Sequence, residues 1–70
     1  SVSGTSLIGE EQAKATAFSH AGVTASQVKC LEVELHGNAY EVEFHVGNTE
    51  YEYAIDAVSG TILRSEKKAD

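Results

Sequence analysis

The apolar positions of this 70-residue chain change period once, near Lys29. Before that point they recur at helical spacing. In "IGEEQAKATAFSHAG", Ala13, Ala17, Phe18 and Ala21 fall on one face of a 3.6-residue repeat. Gly9 is placed to cap this helix. Glu10 and Glu11 suit the positive end of its dipole, and Gly22 is the expected stop. Ile8, just before the cap, is expected to staple back onto Ala13. The apolar stripe is mostly alanine, so the helix can lie close to a sheet with Phe18 as its anchor. "TASQV" adds one helical turn, with Thr24 and Gln27 at capping-box spacing.

From Lys29 the period becomes two, the signature of strands with one buried face. Three strands are expected, at Lys29–His36, Ala39–Val46 and Thr49–Asp56. Each of the two junctions is a Gly-Asn dipeptide, a two-residue hairpin signal. "DAVSG" is a turn in which Gly60 needs positive φ, and "TILRSE" is a fourth strand.

Two-residue turns set the pairing. Val46 then meets Thr49, Phe44 meets Tyr51, Val42 meets Tyr53 and Tyr40 meets Ile55. In the first hairpin His36 meets Ala39, Leu35 meets Tyr40, Val33 meets Val42 and Leu31 meets Phe44. All the large apolar residues land on one face in both hairpins, which is a test the pattern could have failed. The expected fold is α+β: one N-terminal helix on one face of a four-stranded antiparallel meander. Strand four has two registers. A four-residue loop, Ala57 to Gly60, turns Ile62 inward. A bulge at Gly60 turns Leu63 inward and brings Arg64 to the opposite face, and this second register is preferred because it gives the acidic face a cation.

The same pairing puts Glu34 opposite Glu41 and lines up Glu32, Glu43 and Glu52 across three strands. Opposed like charges on a sheet cost roughly 0.2–1 kcal/mol per pair, so the acidic face opposes folding unless something compensates it. Three readings account for it. It is a hydrated face that discourages aggregation. Or it is a partner-binding surface formed by Glu32, Glu34, Glu41, Glu43, Glu50 and Glu52, steering toward a basic patch. Or a row of Cys30, His45 and Glu50 offers S, N and O ligands to a metal such as zinc. No metal is favoured, because that row has no enclosing fourth ligand and no evident supporting shell.

Charge narrows the partners. Eleven acidic against five basic residues give a formal charge of −6, which disfavours nucleic acid and anionic lipid. No apolar run is long enough to span a bilayer. One cysteine excludes an internal disulfide. No CxxC, HExxH, GxSxG, P-loop or GxGxxG motif occurs. No serine or cysteine has an evident base and orienting group, so an enzyme is not expected. His20 is read as a partner of the helix dipole, His36 as a turn-flanking residue, and Tyr40, Tyr51 and Tyr53 as core. No cofactor is expected. The chain opens on Ser1 and is read as a piece of something longer, with residues 1–7 a linker or remnant, 8–66 one domain and 67–70 a tail.

"IGEEQAKATAFSHAGV" and "YEVEFHVGNTEYEYAIDAVSGTIL", in the order helix then strands, resemble the PepSY domain over Ile8 to Glu66. Tyr40-Glu41-Val42-Glu43-Phe44, Glu50-Tyr51-Glu52-Tyr53 and "IDAVSGTIL" are the strongest marks. PepSY domains occur in propeptides of thermolysin-like metallopeptidases and in bacterial secreted or membrane-anchored proteins, where they inhibit or regulate proteases. The resemblance implies a non-catalytic, extracytoplasmic module of a cell-envelope or secreted protein that binds a protein partner such as a metallopeptidase. It carries over no catalytic residue. A cation- or small-ligand-binding sensory module is the alternative. A structural or oligomerisation unit, a weak homodimer through its strand edges, is the third reading.

Overall fold

A computed structural model describes residues 6–69. Most of the expected linker, and Asp70, therefore lie outside the described residues. Helix α1 spans Glu10–Ala21, a 3-10 turn covers Ala25–Gln27, and strands β1 (Lys29–His36), β2 (Ala39–Val46), β3 (Thr49–Asp56) and β4 (Ile62–Ala69) follow. The four strands form one antiparallel sheet in the order β1-β2-β3-β4.

The helix ends as its sequence predicts. Gly22 is left-handed at φ 76°, its N–H bonds to the Phe18 and Ser19 carbonyls, and the Val23 N–H reaches back to Phe18. This closes the last turn with the 6→1 and 5→2 bonds that a glycine makes inexpensive. Ile8 leaves the helix start toward the sheet and donates its N–H to the Ala57 carbonyl at 2.7 Å. That bond ties the start of the helix to the β3–β4 turn.

Both hairpins have glycine at positive φ in the first turn position, 59° at Gly37 and 60° at Gly47, while neither asparagine has positive φ. This is the type II′ pattern, whose twist matches that of the strands. The expected β2–β3 register is reproduced from Val46↔Thr49 to Tyr40↔Ile55. Ala13, Ala17, Val42, Phe44, Ile55 and Ala57 are fully buried, with Tyr40, Tyr51 and Tyr53 completing the core. Phe18 stands edge-on to Phe44 at 5.1 Å, and Phe44 stacks on Tyr51 at 5.1 Å. The two buried alanines let the helix approach closely enough for that contact.

Three expectations change at the edge strands. The β1–β2 register shifts between Lys29 and Glu32, and Cys30 sits there at φ 57°, a left-handed conformation uncommon for a residue with a Cβ. Leu31 therefore does not pair with Phe44 and is 39% exposed. In β4 Ile62 pairs with Ile55 and packs against the core, while Leu63 is left out by a shift in register and is 57% exposed. The bulge lies there and not at Gly60. Gly60 does have positive φ, 80°, and closes the turn by donating to the Asp56 carbonyl. Finally, β4 runs on to Ala69, so residues 67–69 belong to the sheet and not to a tail.

Candidate functional site

Alternation sends every second residue of each strand to the face away from the helix. The register decides which of these become neighbours. Glu32 pairs with Glu43, Glu43 with Glu52, and Glu52 with Glu66, so one row of four glutamates crosses the whole sheet. Glu34 pairs with Glu41 beside it. The row was expected to stop at β3. Glu66 joins it because the bulge at Leu63 puts Arg64, Glu66 and Lys68 on this face. The adjacent pair Ile62-Leu63, which breaks strict alternation, is the sequence signal that could have found it.

The cations stand around this row and not within it. Lys29 pairs with His45, Glu50 with Lys68, and Ala54 with Arg64. Among the described residues, none of Lys29, Arg64 and Lys68 comes within ion-pair distance of a carboxylate. The ion pairs formed are Lys14–Glu11 at 2.8 Å and His36–Glu34 at 2.6 Å. The Arg64 position agrees with the preferred register, although Ile62 and not Leu63 is the inward residue.

Burial separates the glutamates by strand. Glu41, Glu43, Glu50 and Glu52 on the central strands are half-buried, whereas Glu32, Glu34 and Glu66 on the edges are exposed. Partial burial raises the Glu43 carboxyl above its ordinary pKa, and the charges of Glu52, Glu32, Glu50 and Glu41 add to the effect. At the end of the hairpin, His36 is raised by its hydrogen bond with Glu34 and by the charge of Glu41. Asp56 moves the other way. Its carboxylate accepts the Ser59 and Val58 N–H groups at 2.8 and 2.9 Å, which lowers its pKa. Proton affinity is thus raised at the centre of the face and lowered at the turn.

The metal row does not assemble as expected. The bulge at Cys30 puts Lys29, not Cys30, opposite His45. The convergence that does occur is of Glu43, Glu50 and Glu52, whose carboxylate oxygens lie within 4.8 Å of one another. Such a set resembles part of a hard-cation shell. It lies on an open face.

On the helix side, His20 Nδ1 lies 3.0 Å from Tyr53 Oη, with the rings edge to face. His20 therefore anchors the last turn of the helix to the sheet, a contact beyond its expected effect on the dipole. Burial raises the Tyr53 pKa, which keeps the hydroxyl protonated. Cys30 is exposed. No helix among the described residues is long and apolar enough to cross a membrane.

No curated protein and no solved structure was found to match the chain. The helix-then-meander order and the acid–aromatic strands do have a counterpart among protein families: the model of the peptidase propeptide and YPEB domain matches residues 7–66, nearly the whole sequence, and the chain belongs to the PepSY family.

Proposed function

We propose that this domain is a non-catalytic interaction module that regulates a protease outside the cytoplasm, docking its acidic sheet face on a basic surface of the partner. Membership of the family supports the coarse part of this reading. PepSY domains are generally propeptide or regulatory modules without catalysis of their own, and are typically extracytoplasmic. The finer part rests on one observation, the row Glu32–Glu43–Glu52–Glu66, with which no cation among the described residues forms an ion pair. Like charges in register weaken a sheet. A basic partner would relieve that repulsion on binding and would be steered toward the face over a distance of about a Debye length.

The test is a titration of the isolated domain against a thermolysin-like metallopeptidase. The control is the triple variant Glu32→Lys, Glu43→Lys, Glu52→Lys, with its fold checked by circular dichroism. Inhibition by the native chain that weakens by about tenfold or more in the variant, and falls with added salt, is the expected result. Equal inhibition by both proteins would remove the acidic face from the mechanism. No inhibition by an intact, folded domain would remove this class of protease as partner.

A further inference from the structure

The two sides of β1 have different tasks. Toward β2 it pairs along Glu32–His36. Its other side has no neighbour among the described residues. The two-residue turn makes His36 and Ala39 the first bonded pair, and bonded and unbonded pairs then alternate along the ladder. Val33 and Leu35 are left with their N–H and C=O groups directed at the open edge. These residues also belong to the helix-side face of the sheet, where Leu35 is 46% exposed and Leu31 39%. A concavity of about 330 Å³ opens at Leu31, lined also by Glu11, Lys14, Phe18 and Val28. The opposite face of the same strand carries Glu32 and Glu34.

We propose that the open edge of β1 is a docking strand for an extended segment of another protein whose side chains alternate apolar and basic. The inference deepens the preceding reading. It keeps the acidic face as the recognition surface and specifies the form of the partner. A segment adding to the edge supplies main-chain bonds to Val33 and Leu35. Its apolar side chains cover Leu31 and Leu35 on the helix side. Its basic side chains lie beside Glu32 and Glu34 and end both acidic rows with a positive charge.

Charge and apolar cover together select this occupant over a second copy of the chain. Antiparallel pairing of β1 with itself brings glutamate against glutamate. Pairing with β4 of another copy would bring Arg64 and Lys68 as well as Glu66 to the acidic side, but it would set Ser65 and Lys67 on the helix side and leave Leu31 and Leu35 without apolar cover. The β4 edge itself, with Arg64, Lys67 and Lys68, carries the charged side chains that discourage strand addition.

Three capped octapeptides test the inference in an NMR titration. One alternates valine and lysine, one has the same composition in two blocks, and one alternates valine and glutamate. The alternating valine–lysine peptide is expected to bind about tenfold tighter than its block isomer and to protect the Val33 and Leu35 amides from exchange. The valine–glutamate peptide should not bind. Leu35→Pro removes an edge N–H without taking one from the β1–β2 ladder, and should weaken the interaction, as should Glu34→Lys. The second variant leaves the backbone unchanged and so stands even if the first misfolds. Equal binding of the block and alternating peptides would overturn the edge site while leaving an acidic docking face intact. Binding of none of the peptides would overturn the edge site alone, since the face is judged by the peptidase titration. Self-association abolished by Leu35→Pro would also overturn it, in favour of a second copy.

Discussion

The two edge strands flank the same core yet are built differently. In β4, Ile62 packs against the core, and the helix-side position at Lys67 places an ammonium 5.8 Å from the centre of the Tyr51 ring. Its apolar misfit, Leu63, is absorbed in a bulge. In β1 the apolar residues keep their alternation but lose their cover. Val33 packs at the margin of the core, while Leu31 and Leu35 remain open to solvent. One edge is closed by charge and the other presents apolar side chains beside unsatisfied backbone. Alternation alone therefore does not bury a strand; the helix is too narrow to cover all four, and it lies nearest β2, flanked equally by β1 and β3.

The largest effect that could break this contrast is a pair of truncations. Ile62→Ala should cost about 1–2 kcal/mol, as expected for removing a half-buried aliphatic side chain. Leu35→Ala should cost less than about 0.5 kcal/mol, as for an exposed site. Urea unfolding measures both. Equal losses would mean that β1 is as well covered as β4.

A smaller effect concerns the bulge that opens β1. Cys30 holds a left-handed conformation, which costs a residue with a Cβ about 1–2 kcal/mol and costs glycine little. Cys30→Gly should therefore raise stability by about 1 kcal/mol, partly offset by the greater freedom of glycine in the unfolded chain. A loss of stability would show that the cysteine side chain has a structural role at the bulge.

The smallest effect is the pH response of the acidic face at the hairpin end of β1. The folded pKa of His36 is raised, so its contribution is fully present below the ordinary histidine pKa and is lost as pH rises through the folded value. Thermal scans from mildly acidic to mildly alkaline pH should show a decline in melting temperature that His36→Gln flattens. Glu34→Gln should do the same, since Glu34 supplies the main cause of the shift. Glu43 acts in the same direction at lower pH, and Asp56 opposes it, because a depressed carboxyl loses its contribution as pH falls through its folded value. An unchanged profile in both His36→Gln and Glu34→Gln would separate the hairpin end from the titration of the face.

The sequence was legible where its signals agreed. Ala13, Ala17 and Phe18 marked the helix face, and Gly22 marked its end. The Gly-Asn turns set the central register, and with it the core tyrosines and the pairs Glu34–Glu41, Glu32–Glu43 and Glu43–Glu52. It misled where alternation was extrapolated through a bulge. Cys30 gave no sign of its left-handed backbone, so both the Leu31–Phe44 pair and the Cys30–His45–Glu50 row were expected where neither occurs. Glu66 went unnoticed because its face depends on where β4 absorbs one residue.

What the sequence determined by itself was the order of elements, the central hairpin and an excess of negative charge. Those follow from local chemistry: a change of period, turns that tolerate positive φ, and the count of carboxylates. The tertiary structure decided which strand edge is guarded, how far the row of glutamates extends and which apolar residues stay uncovered. Each of these depends on how the edge strands slip to fit a single helix, and no local signal contains that fit.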